Sequence, residues 1–309
     1  MKRYFQLIGA SAVMFAVFFL DPSINVLNVA CLLLILLFGI PHGALDHKVH
    51  NTLSSGGGVQ KYIIKYLSIS IGFVLWWVLM PFKALIMFLI LSAFHFGQEL
   101  LEDHGYKGRN VFTQLSWGAI ILIVPLLIQY NEIIPFLETI GKTSLPVLDN
   151  GILSGVGLVV GLVGLRAIWQ DFKKGDMERN ALVRLVLCGV FIQVCYLMLP
   201  FIAAFTIYFL CFHSFNAFTH QYRWFKKSFT TYSVKQFLID LSSFSLVAVI
   251  GMVALLWVMG PMNSENLISY FFMFTSLLTL PHAILFDQFY FERKEEKSVI
   301  RIPFSRAGT

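Results

Sequence analysis

Charge is what this chain has least of. Only 13% of its 309 residues are Asp, Glu, Lys or Arg, about half the share carried by a typical soluble domain. That excludes an ordinary water-soluble globule. Cysteine is scarce too. Cys31, Cys188, Cys195 and Cys211 all lie inside apolar runs, and no CxxC occurs, so they read as small buried hydrophobes rather than a zinc or redox set. The +6 balance is not gathered into a Lys/Arg run interleaved with aromatics, which argues against nucleic acid as a partner. The glycine run "SSGGG" at 54–58 lacks the Lys-Ser/Thr of a phosphate-binding loop and carries no nucleotide role. No repeat of 20 to 50 residues is visible.

What the chain has in place of charge is apolar length. It is 57% hydrophobic, and runs long enough to cross a bilayer recur from one end to the other. The expected fold is an all-α, polytopic membrane bundle, a single transmembrane domain over 1–309. About ten spans are expected, near 4–20, 24–42, 62–80, 82–98, 112–130, 151–170, 180–199, 201–222, 236–260 and 264–290. Spans seven and eight meet at Pro200 and could be one broken helix, and the 131–150 loop holds a short apolar piece. The start, "MKRYFQLIGASAVMFAVFFLDPS", has a basic head but a long apolar stretch and no A-x-A site, so it reads as a retained first helix. With the N-terminus inside, 21 of the 23 Lys and Arg fall on the inner side, and only Lys83 and Lys142 fall outside. This bias predicts a multi-pass protein of the cell (inner or plasma) membrane with both termini cytoplasmic.

The eight histidines sharpen the reading. None lies in an odd-numbered span or an outer loop. His42 ends span two in "GIPHGALDHKVH", His95 is near the end of span four in "SAFHFGQE", His213 is in span eight in "CFHSFNAFTHQYRW", and His282 is in span ten in "LPHAILFD". All four helices run the same way, so these imidazoles reach the inner half of the membrane at similar depth. Imidazoles there are costly unless they pair or coordinate, and four at one level point to a shared metal site. Imidazole ligation suits Fe, Zn, Cu or Ni, and oxygen chemistry on an apolar substrate favours iron. Asp46, one turn beyond His42, and Glu99, one turn beyond His95, are placed to orient imidazoles from behind, as is Asp287 near His282. His47, His50 and His104 sit in polar segments and read as interfacial. His220 shares a face with His213 but lies seven residues on, about 10 Å of helix rise away. The 31 Phe, dense in "FTIYFLCFHSFNAF", read as lipid-facing or packing residues, or as the lining of a tunnel for a long polyene.

The pieces "GIPHGALDH", "SAFHFGQE", "YFLCFHSFNAFTH" and "LTLPHAILFD", in this order, resemble the Brp/Blh family of integral-membrane β-carotene 15,15'-dioxygenases. The resemblance implies Fe(2+) held by histidines and O2-dependent cleavage of the central double bond of β-carotene to two retinals, with a functional partnership to a microbial rhodopsin through retinal. His42, His95 and His213 match the family's first three ligand histidines. The family pattern has a further histidine four residues after the third, where this chain has Ala217. The fourth ligand is then His282, whose depth matches, or His220, or the site has lost its original activity. The alternatives are therefore a carotenoid-binding relative without catalysis, or another histidine-metal membrane oxidase. The HxxxH and HxxHH clusters of membrane desaturases are absent. A b-haem carrier with two axial histidines is a further rival.

Overall fold

A computed structural model of the protein describes residues 2–20, 23–48, 59–229, 231–259 and 273–283. Nearly all are helical, and no strand occurs among them. The helices in chain order are α1 (Lys2–Leu20), α2 (Ile24–Gly43), α3 (Val59–Leu79), α4 (Pro81–Asp103), α5 (Val111–Ile128), α6 (Tyr130–Gly141), α7 (Asn150–Lys173), α8 (Arg179–Met198), α9 (Phe201–Tyr208), a π-helical turn (Phe209–Ser214), α10 (Phe215–Ser228) and α11 (Val234–Met259). A last helical piece, α12, covers 273–283.

Eight of these helices, counted over the described residues and joining α9 to α10 through the π-turn, are long and apolar enough to cross a membrane. They coincide with expected spans two to nine. Expected span one is α1, whose apolar piece Ile8–Val17 is shorter. Most of expected span ten lies outside the described residues. The chain is thus an all-α, multi-pass membrane bundle. Many large apolar side chains face outward, among them Leu37, Ile64, Leu158 and Trp257, which suits contact with lipid rather than water.

Local chemistry sets the helix ends. Pro81 opens α4 at its first turn, where the missing N–H costs nothing. Asn110 and Asp149 cap α5 and α7, accepting from the Phe112 and Ile152 amides at 3.1 and 2.9 Å. Spans seven and eight are two helices: Leu199 is extended and Pro200 starts α9. Gln129 donates to the Leu199 carbonyl at 3.1 Å and to that of Tyr196, which closes the end of α8.

The centre of the bundle is α5. It meets α4 backbone to backbone, since a Cβ on Gly118 would fall 1.5 Å from the Ala93 carbonyl oxygen and one on Gly97 would fall 1.9 Å from that of Gln114. On its other side Gly164 of α7 accepts Ile120, and Gly189 of α8 lies against Trp117. Small residues permit such approach where no hydrophobic force distinguishes helix from lipid. The α4–α5 connection is pinned by Asp171 of α7, fully buried. It accepts from the Tyr106 and Thr113 hydroxyls at 2.6 and 2.7 Å and from Lys174 at 3.0 Å. Burial and the adjoining carboxylate hold the Tyr106 hydroxyl protonated well above the usual phenol range.

Candidate metal centre and its cavity

Three of the four histidines singled out in the sequence are brought together, from three helices. The His95 ring centroid lies 5.2 Å from that of His213 and 5.2 Å from that of His282. All three are buried. His42 is in the last turn of α2, and its side chain lies outside the described residues, as do His50 and Asp287.

Each carboxylate meets an imidazole on another helix. Glu99 Oε2 is 2.5 Å from His213 Nδ1 and 4.0 Å from His95 Nε2. The donor atoms of His95, Glu99 and His213 lie within 4.8 Å of one another, a little beyond the span of about 4.2 Å that two ligands with bonds of about 2.1 Å can reach. Two histidines and a carboxylate are a donor mix that non-haem iron accepts. Asp46 reaches across to α12, with its oxygens 2.8 and 3.0 Å from His282 Nδ1. A proton on Nδ1 donated to Asp46 makes Nε2 the lone-pair nitrogen of His282.

His220 takes no part in the cluster. Its Nε2 lies 2.5 Å from Asp103 Oδ1, one turn past Glu99 on α4. His104, expected at the interface, is instead buried, with Nδ1 2.8 Å from the Leu100 carbonyl. His47, part-buried, contacts the Ala44 carbonyl at 3.2 Å. Ala217, at the position where the resembled family carries histidine, is fully buried.

His213 owes its place to the π-turn. Phe201, Phe205, Phe209 and His213 recur every four residues and form a ladder. Centroids are 6.3 Å apart for Phe201–Phe205, 5.8 Å for Phe205–Phe209 and 5.2 Å for Phe209–His213, with planes within 29° at each step. On an α-helix of 3.6 residues per turn, a four-residue repeat drifts by about 40° per step. The wider π-turn at Phe209–Ser214 counters that drift and keeps His213 on the ladder's face.

The ladder and the imidazoles line one cavity, partly open to the outside. Among the described residues, His95, His213, His282, Ser92, Thr275 and Thr279 are the only polar side chains in its wall. On α2, α4 and α12 the lining residues run from Leu32 to Gly43, Leu85 to Phe96 and Phe274 to His282. The histidines therefore share one end. Phe136, Leu137 and Ile140 of α6 line the far end. From Leu85 to His95 is about 15 Å of helix. The short apolar piece expected within the 131–150 loop is thus the helix α6, and the spacing of those three residues, which puts them on one helical face, is its signal in the sequence.

The profile of the beta-carotene 15,15'-dioxygenase family matches residues 33–290, most of the chain. The chain belongs to that family. A curated relative, a beta-carotene 15,15'-dioxygenase from uncultured marine bacterium 66A03, is 28% identical over 121 residues, which is 38% of this chain. That alignment spans 44% of the relative's own length, less than half. No solved structure matches the chain.

Proposed function

We propose that this member of the family cleaves β-carotene, or a closely related carotenoid, at its central double bond with O2, giving two molecules of retinal. The observation that carries this reading is the convergence of His95, His213 and His282 at one end of an apolar, aromatic-lined cavity inside the membrane. In the balanced reaction the central C=C is lost, each of its carbons takes one oxygen atom of O2, and two aldehydes form.

The donor set fits Fe(2+). His95, His213 and His282 would hold it with His42, and Glu99 is within reach of the same point. Bound iron supplies the activation of O2 that a polyene does not achieve alone. The protein's own residues do the rest. Asp46 fixes the tautomer of His282. The Phe201–Phe205–Phe209 ladder holds one arm of the polyene along the cavity, so that the bond to be cut lies beside the imidazoles. The apolar wall keeps water from the reacting carbons. Substrate enters from the bilayer, to which a carotenoid is confined, and the retinal released would suit a microbial rhodopsin as acceptor.

The test is retinal formation in a β-carotene-accumulating bacterium expressing the chain, beside a His95→Ala control. Retinal from the parent and none from the control supports the reading. No retinal from parent protein confirmed in the membrane overturns it. Ala217 favours a second reading, a relative that binds carotenoid without cutting it, because that buried methyl group offers no donor. Carotenoid co-purifying with metal-free protein would establish that role.

A further inference from the structure

A π-helical turn is a weak place in a membrane helix. Its widened ladder leaves backbone groups poorly satisfied, and no water is present to make up the loss. Here that turn carries His213. A chain of side-chain amides and a carboxylate braces it from two sides. Gln6 of α1 donates from Nε2 to the Cys211 carbonyl, inside the turn, at 3.0 Å, and to Asn216 Oδ1 at 2.7 Å. Asn216 Nδ2 donates to Asp103 Oδ2 at 2.6 Å. The other Asp103 oxygen takes His220 Nε2 at 2.5 Å. The direction of these bonds is fixed by their chemistry. Gln6 gives its two amide hydrogens to two acceptors, so Asn216 presents its oxygen to Gln6 and its NH2 to the carboxylate. Turning either amide over would set like against like.

We propose that Gln6 is a positioning residue for the metal centre. It clamps the π-turn from α1, while Asn216 and His220 tie the start of α10 to Asp103 on α4, the helix that carries His95 and Glu99. The clamp fixes His213 against His95. The inference rests on the metal-site reading for its purpose, but the clamp itself is a property of the chain. It also explains what α1 adds to the site, since α1 lies outside the residues matched by the family profile. Its inner face, with Ala10 and with Met14 3.6 Å from Cys195, packs into the core and sets Gln6 in place.

The test is hydrogen–deuterium exchange on the full chain in lipid nanodiscs, parent against Gln6→Met, which keeps the length and removes both donors. The expected result is exchange about tenfold faster over residues 209–217, with residues 111–128 of α5 unchanged. Asn216→Leu, which breaks the next link, should show the same pattern, and it serves alone if Gln6→Met does not accumulate. Unchanged exchange over 209–217, or an equal rise in both segments, overturns the clamp. Iron is then titrated into the same preparations. Weaker uptake by Gln6→Met than by the parent supports the positioning role, and equal uptake overturns it. A parent that takes no iron refutes the metal reading, and the exchange result still decides the clamp.

Discussion

Asp46, three residues past the end of α2, and His282 on α12 are 236 positions apart in the chain, yet both carboxylate oxygens lie within 3.0 Å of the imidazole Nδ1. The pair ties the segment just past His42 to the last described helix at the level of the other imidazoles. Removing the carboxylate frees the His282 tautomer and ring orientation. Asp46→Asn keeps the volume but replaces a charged acceptor by a weaker one, and should lower metal affinity about 10–100-fold. Metal content after dialysis against graded chelator reads this directly. Parent-like retention by Asp46→Asn would show that the pair serves packing alone.

His282 and His220 were the two claimants for the last ligand position, and the structure gives them different neighbours. His282 faces His95 across 5.2 Å, while His220 is held by Asp103. His282→Ala should abolish retinal formation and strip metal. His220→Ala should keep most of the metal and lose far less activity than His282→Ala, because it removes one hydrogen bond to Asp103 and no donor from the cluster. The comparison is retinal per unit of folded protein in the two variants. A reversed order would make His220 the ligand.

How much of this was legible in the chain depends on the range of the signal. The spans were readable because twenty apolar residues in a row have few other uses, and the common depth of His95, His213 and His282 followed from helix direction alone. The contact between Glu99 and His213 was not readable. A carboxylate one turn from His95 is sequence-adjacent to it, but its 2.5 Å approach to His213 depends on how α4 meets the π-turn. The π-turn has no composition of its own, and only the four-residue beat of Phe201, Phe205, Phe209 and His213 hints at it. Asp46 was linked in sequence to His42, its helical neighbour, and its observed partner lies on a helix whose packing no local pattern encodes. His104 looked interfacial because its sequence neighbours are charged, yet tertiary packing buries it.

Gly118 is where the fold tolerates least. Its missing Cβ would sit 1.5 Å from the Ala93 carbonyl oxygen, a backbone atom that cannot swing away. Gly118→Ala must therefore push α4 from α5, and His95 moves with α4. The expected cost is about 1–3 kcal/mol or more, seen as a lower thermal midpoint in detergent, with metal retention falling in parallel. Gly155→Ala is the control, because nothing lies within 4 Å of its added methyl group. That variant should match the parent in both measurements.

Gly39 separates binding of the polyene from assembly of the metal centre. It lines the cavity on α2, and a Cβ there would lie 3.3 Å from Phe209 Cζ. Alanine asks for a shift of a few tenths of an ångström in one ring. Leucine would project its branch into the space beside the aromatic ladder, one turn short of the histidines. Gly39→Leu should keep the metal, because it touches no donor atom, and lose at least tenfold in retinal formation, because the arm of the substrate no longer fits. Gly39→Ala should fall between the two. Metal content and retinal yield measured on the same membranes decide the matter. If Gly39→Leu kept full turnover, the polyene would have to reach the imidazoles by another route, and the ladder would be packing rather than a binding wall.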